Sequence, residues 1–419
     1  MIFTGVKTIK HMDTAVRNLW NKNFLLYIIG MEFNLIATNL LKFALPFYVL
    51  LETGNPALMG TILAFSAIPL ALFIPIGGIA ADRFSKKNIM VLMNFASAIV
   101  ILVYLGMSGT MAVVPATILF FLLFSSFESM LSPTSEASVP FLVPKDDLVK
   151  ANSVTWILAI FSTVGSPIMG GFILARFGLI AVLYISVALY VLATVVKLIM
   201  KIPFTKQKAE MSLSRTMISD LKEGARFAMQ EHTIRKILLA SLFIGLFLIP
   251  LSSVALPVLV SIRLGMEETF VGLATGIVAF GGTASILLLG LLGERANITK
   301  TRLIFAICSL AIIPAGFGVL WTSDTTFVFI VLIASFFVAD GLSTMVVVLA
   351  SAYIGEKTPE HIIGKVMSLY IAAIYIGGMA GNFIFGILFR NFADTAGILL
   401  LIIAGFAIAY SLLFLRIRE

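Results

Sequence analysis

Charge is scarce in this chain. Only 12% of its 419 residues are Asp, Glu, Lys or Arg, about half the allowance a water-soluble surface needs. Hydrophobic residues make up 60%, and the mean hydropathy is +1.08. Such a chain needs an apolar solvent, so it reads as an integral membrane protein. Cysteine is nearly absent: Cys308 stands alone in an apolar run, which excludes a disulfide within the chain. The three histidines, His11, His232 and His361, are scattered in loops or at segment ends. With one cysteine they offer no metal-ligand spacing, so no metal and no cofactor is expected. No Gly-x-x-x-x-Gly-Lys-Ser/Thr run occurs, which speaks against an ATP-driven pump. The first 23 residues are polar, and the apolar run that follows is too long for a signal-peptide core, so nothing need be cleaved.

What the chain has is long apolar runs. A bilayer core of about 30 Å takes about 20 apolar residues in a helix. Twelve such runs are legible: 24–51, 57–81, 89–107, 113–142, 153–174, 179–200, 237–262, 270–292, 303–321, 327–352, 366–388 and 397–415. Their length excludes the short alternating strands of a spanning β-barrel. Lys and Arg set the orientation. With both termini inside, Lys7 to Lys22, Arg83, Lys86, Lys87, Lys145, Lys150, the long loop after Lys197, Arg295, Lys300, Arg302, Lys357, Lys365, Arg416 and Arg418 all fall on the cytoplasmic side. Only Arg176, Arg263 and Arg390 fall outside, and Lys42 lies within a span. The net charge of +8 is therefore a topology signal, not a nucleic-acid footprint. The expected location is the cytoplasmic (plasma) membrane, with the chain acting as a monomer. The charged loop 201–236 carries Leu213, Met217, Leu221, Ala225 and Ala228 at helical spacing. It reads as an amphipathic helix on the inner membrane face, or as a plain linker.

The halves echo each other. Ala44-Leu45-Pro46 recurs as Ala255-Leu256-Pro257, and Asp82-Arg83 recurs as Glu294-Arg295, at offsets of 211 and 212 residues. The expected organisation is a six-helix bundle at 1–200, a linker at 201–236 and a second six-helix bundle at 237–419. An axis along the membrane normal relates the bundles, as in secondary transporters whose site lies between two repeats. The same offset of 212 links Glu128 in span four to Asp340 in span ten. An ionised carboxylate at mid-bilayer costs a few kcal/mol or more against lipid, so both acids are expected to face a shared wet cavity. Burial favours the neutral form of a carboxyl, which suits reversible protonation; a buried structural acid is the alternative. In span one, Glu32, Thr38, Asn39 and Lys42 fall within about 120° of the helix. Lys42 needs water or a carboxylate partner. Glu32, about 15 Å away along the axis, is too far, which leaves Glu128 or Asp340.

These residues resemble a known family. Gly78-x-x-x-Asp82-Arg83-x-Ser85-Lys86-Lys87 resembles the loop 2–3 signature of the major facilitator superfamily, with Ser85 in place of its second Gly and Ala80 in place of its Leu. Gly290 to Arg295, with Glu294, is similar to its degenerate second-half copy. Ser166-Pro167-Ile168-Met169-Gly170-Gly171 resembles the element that marks the superfamily's antiporters, and PTSEASVPFLVPKDDLVKAN (133–152) resembles the macrolide-efflux and siderophore-export branch of drug:proton antiporters. The resemblance implies an all-α membrane fold of twelve helices in two pseudo-symmetric bundles, with no enzymatic activity. It implies that Asp82 and Arg83 latch the cytoplasmic ends of the two halves, or, more simply, that Arg83, Lys86 and Lys87 only fix topology. Pro167, Gly170 and Gly171 would seal the cavity against ion leak, or serve close helix packing alone. The Arg expected early in span four is replaced near Phe121, so coupling by protons, or by sodium, would fall to Glu128 and Asp340. The implied function is secondary active efflux of lipophilic or amphipathic compounds by alternating access. The alternatives are an importer, a lysophospholipid flippase and, further off, a non-transporting sensor.

Overall fold

The computed structural model describes residues 18–107, 112–203, 223–292, 298–359 and 362–414, and every regular element among them is helical. The long apolar runs become helices because a backbone in hydrocarbon must satisfy its own hydrogen bonds. Polar residues mark their ends. Helix α1 (Lys22–Thr53) starts at Asn21, whose side chain accepts from the amides of Asn23 and Phe24, and stops at Gly54, which takes the left-handed conformation at φ 60°. Helix α2 (Pro56–Arg83) starts from the Asn55 cap with proline in its first turn, where the missing N–H costs nothing. Helices α3 (Lys86–Met107) and α4 (Val113–Glu136) follow.

Eleven stretches among the described residues are long and apolar enough to cross a bilayer. One of them, Lys145–Ile199, has 55 residues, more than twice what one crossing needs. Its backbone leaves helical geometry at Gly178 (φ 74°, ψ 179°), and its contacts reverse there. Before the break, Ser162 bonds Glu32 and Gly170 packs on Leu40 and Phe43, moving up α1. After it, Tyr190 meets Thr38 and Lys197 meets Gly30, moving back down. The stretch is therefore two antiparallel crossings, α5 (148–177) and α6 (179–199), which makes twelve crossings among the described residues. The second half continues with α7 (His232–Arg263), α8 (Glu268–Leu292), α9 (Thr301–Trp321), α10 (Thr325–Lys357), α11 (Ile363–Asn391) and α12 (Ala396–Phe414). Three segments of α7 (Ile244–Leu248, Leu251–Ala255 and Leu259–Arg263) are π-helical. The amphipathic pattern expected in the central loop falls mostly outside the described residues. Its end is a short helix at 223–230, held by a 2.7 Å ion pair between Glu223 and Lys365.

Two glycine seams join the halves. On α2, Gly60 meets the backbone of Asn382 and Gly386 on α11; a Cβ on Gly386 would stand 3.0 Å from Ala57 Cα and 3.2 Å from Gly60 Cα. On α5, Gly171 meets Gly272 of α8; a Cβ on Gly272 would stand 2.9 Å from Gly171 Cα, and one on Gly276 2.6 Å from the Val164 carbonyl. Both seams lie towards the starts of α2 and α8, so they share one face of the membrane. The opposite face carries the start of α1, the Arg83–Lys87 turn and the end of α6, and is called the basic face below.

Candidate functional site

A cavity of about 630 Å³ runs into the first half from the basic face. Tyr27, Ser135, Glu136 and Asn152 line its mouth end, and Thr38, Asn39, Lys42 and Glu128 line its deep end. Leu70, Ile74, Trp156 and Tyr375 give it apolar and aromatic wall. Among the described residues Tyr375 is the one lining residue from the second half. The glycine seams lie on the other face, so the cavity reaches one side of the membrane only.

Glu128 sits on α4 at the deep end, surrounded by donors. Tyr190 of α6 donates to Oε1 at 2.9 Å, Thr38 of α1 to Oε2 at 3.0 Å, and the Asn34 amide to Oε1 at 3.3 Å. The Asn34 amide also reaches Asn94 Oδ1 on α3 at 3.4 Å. Thr38 and Tyr190 touch each other at 2.7 Å. Glu128, Thr38 and Tyr190 thus form a triangle of oxygen contacts, and two hydroxyls bring only two protons to its three edges. The third edge is filled when Glu128 itself carries a proton.

The sequence expectations separate at this point. Glu128, Lys42 and Asn39 do share one cavity. Asp340 does not join them. It lies in a small dry slot bounded by Leu248, Leu251, Ser252, Phe336 and Ala339, beside the backbone of Gly282, where a Cβ would stand 2.8 Å from Asp340 Oδ2. The offset of 212 residues places two acids at matching depth, but depth does not fix which way a helix faces. Of the two partners open to Lys42, water or a carboxylate, the carboxylate is not taken: among the described residues no carboxylate oxygen stands within 4 Å of its ammonium. Glu32 is turned away from the cavity towards α5, where Ser162 donates to Oε1 and Oε2 finds no partner.

The signature residues take several roles. Lys86 donates to the Ala81 carbonyl at 2.9 Å and lies over the Phe141 ring at 4.8 Å. Lys87 donates to the Leu198 carbonyl at 2.6 Å. Each closes a helix C-terminus, where cations are favoured. Arg83 ends α2; the Asp82 side chain, Glu294 and Arg295 lie outside the described residues. Gly78 and Gly290 have nothing within 4 Å of a built Cβ, whereas neighbouring Gly77 would strike the backbone of Ser129 and Met130 at 2.8 Å. In α5 the Pro167 carbonyl and Gly171 form the seam with Gly272, and Gly170 packs on Phe43. Pro167 stays within regular helix; the break in this stretch is at Gly178. Phe121 is buried in an aromatic cluster, 5.3 Å from Phe120 and 6.4 Å from Phe124.

Sequence reading missed Lys197. It stood at the end of a span and counted as an inner-face cation. In the fold it is 1% exposed, with its stem in the notch left by Gly30, where a Cβ would stand 3.3 Å from Lys197 Cγ. Long side chains on a helix lean towards its N-terminus, which here is towards Thr194, Tyr190 and the Glu128 network. The sequence signal was Tyr190, Thr194 and Lys197 at i, i+4, i+7, one polar stripe on an apolar helix.

Comparison with known proteins agrees with this architecture. Macrolide efflux protein A of Streptococcus pyogenes is 25% identical over 391 residues, covering 91% of this chain and 92% of that protein. The multi-drug resistance efflux pump PmrA of Streptococcus pneumoniae is 25% identical over 339 residues, covering 77% of each chain. The crystal structure of the nucleoside transporter NupG superposes with a TM-score of 0.71 at 17% identity, covering 94% of this chain and 98% of that one. The sequence model of the Major Facilitator Superfamily matches residues 27–382. This protein is a multi-pass membrane transporter belonging to the Major Facilitator Superfamily.

Proposed function

We propose that the protein is a proton-coupled exporter of lipophilic or amphipathic compounds in the plasma membrane, working by alternating access as a monomer. The observation that carries this reading is the one-sided cavity with an ionisable triangle at its deep end. Positive-inside orientation makes the basic face cytoplasmic, with both termini inside. The cavity is then open to the cell interior and shut at the outer face by the Gly60–Gly386 and Gly171–Gly272 seams. A compound enters from the cytoplasm or inner leaflet and settles between Lys42, Glu128 and the aromatic wall. The bundles at 1–200 and 237–419 rock about the seams, and the cavity opens outward. Protons arriving from outside fill the third edge of the Glu128–Thr38–Tyr190 triangle and discharge the acid. Asp82 and Arg83 act as the latch between the halves at the cytoplasmic ends. The efflux relatives support the direction of transport.

The test is transport in inside-out vesicles with a panel of dyes and antibiotics, with and without an uncoupler. Accumulation that collapses on adding uncoupler is the expected result. Accumulation that is insensitive to uncoupler, or that runs only in right-side-out vesicles, removes the proposal.

A further inference from the structure

Lys42 stands at the deep end of the cavity without a direct carboxylate partner among the described residues. Lys42 lies 20 residues into α1, about 30 Å from the helix start and about 16 Å from its end. A lysine stem cannot snorkel across either distance, so the ammonium stays in the cavity. No carboxylate among the described residues approaches within 4 Å. Three acids are near enough to ask about. Glu128 already takes donors from Tyr190, Thr38 and Asn34 on its two oxygens. Glu136 lies two turns further along α4, at the exposed mouth of the cavity, with Ser132. Glu32 faces Ser162 on α5. Water alone can solvate Lys42 while the cavity is empty. A neutral or cationic compound that displaces this water strands the ammonium, and an uncompensated buried charge costs several kcal/mol. A compound bearing an anionic oxygen replaces the water with a charge-assisted hydrogen bond.

We propose that Lys42 is the receptor for an acidic group on the transported compound, and that the cavity selects amphipathic organic anions. The carboxylate or phenolate of the ligand sits at Lys42 and Asn39. Its apolar body lies against Leu70, Ile74, Trp156 and Tyr375. A volume of about 630 Å³ matches one drug-sized molecule. This assignment rests on the export reading for its transport consequence, but not for its binding consequence.

The two are tested apart. Binding is measured on the full chain in nanodiscs with a dansyl-labelled amphipathic carboxylic acid, its methyl ester and the corresponding primary amine. Wild type is expected to bind the acid best. Lys42→Gln should weaken acid binding about tenfold or more, the size of a lost charged hydrogen bond, and change ester binding less than about twofold. Lys42→Arg should keep the acid preference. Ester binding by each variant also reports that it is folded. Equal losses for acid and ester in Lys42→Gln, or a wild-type preference for the amine, overturn the assignment. The same probes in uncoupled and energised vesicles separate the two readings. A Lys42-dependent acid preference without uncoupler-sensitive flux keeps the anion site and removes the exporter. Uncoupler-sensitive flux of all three probes, bound alike, keeps the exporter and removes the anion site.

Discussion

Replacing Gly272 by alanine puts the rocking geometry to the test. A Cβ there would stand 2.9 Å from Gly171 Cα and 3.0 Å from Gly171 N, and would strike the Pro167 carbonyl. Carbon atoms at rest sit about 3.5–4.0 Å apart, so α5 and α8 must separate by roughly 0.6–1 Å at this point. Overpacking of that kind costs about 1–3 kcal/mol. Alanine also stabilises a helix relative to glycine by about 0.5–1 kcal/mol, but it does so in every conformation and cancels from the ratio of states. The strain falls only on the state in which the seam is shut. The ratio of seam-shut to seam-open molecules should therefore drop by about 5–150-fold.

Spin labels on cysteines at Glu52 and Phe392, both exposed at the seam face, would report this as a new long-distance population. Cys308 is fully buried and would stay unlabelled. Gly290→Ala is the control, since nothing lies within 4 Å of its built Cβ; it should leave the distance distribution unchanged. If Gly272→Ala shows the wild-type distribution and the wild-type transport rate, the seam does not govern the conformational equilibrium and the reasoning fails.

Other outcomes follow from the same contacts. Glu128→Gln keeps the shape of the triangle but can no longer trade a proton, so flux should lose its sensitivity to uncoupler while ester-probe binding holds within about twofold; uncoupler-sensitive flux at the normal rate would exclude Glu128. Gly178→Ala forces a side chain into a backbone region open almost only to glycine. It should cost about 1–3 kcal/mol, read as a lower thermal midpoint that Gly290→Ala does not share. Lys197→Met removes a buried side-chain amine for which the described residues give no hydrogen bond and leaves a stem of similar volume, a change that is often neutral or stabilising. Its thermal midpoint should not fall; a drop of several degrees would show that the amine makes a favourable bond in the fold.

Much of the fold was legible because hydrocarbon is an undemanding reader of sequence. Run length alone separates α5 from α6, and the apolar pause at Arg176–Gly178 marks the turn that the backbone makes. Depth was legible too: Glu128 and Lys42 both lie well inside their spans, and both reach the cavity. Azimuth was not. Whether Asp340 faces the cavity depends on how α10 is rotated against α7, and that rotation is set by side-chain packing around Phe336, Leu248 and Leu251. Hydropathy carries no record of it. Lys197 was misread for a related reason. A lysine near a span end ordinarily snorkels, and only the absent Cβ of Gly30 on another helix gives it a reason to stay in. Gly171 was picked out, but its partner Gly272 was not, because a close approach needs two glycines and the sequence shows them about a hundred positions apart.

The two halves repeat a backbone, not a chemistry. The first half sets Asn34, Thr38, Lys42 and Glu128 on the cavity wall, with Asn94, Tyr190 and Lys197 buried behind them. The second half answers Glu128 with Asp340 in a narrow slot and gathers Phe243, Phe305 and Tyr410 into an aromatic cluster, with Phe243 and Tyr410 stacked at 4.1 Å. Its α7 departs into π-helical turns, and Ser252, beside Asp340, lies in one of them. Such turns change which side chains face inward over a few residues, which is enough to break a symmetry that the sequence offset preserves. Among the described residues the polar lining of the cavity thereby comes from one bundle, and the other contributes Tyr375. On the proposed mechanism, one bundle carries the groups that would meet cargo and proton. The second bundle has to supply rigid halves of two seams, and its glycines at 272 and 386 are placed to do that.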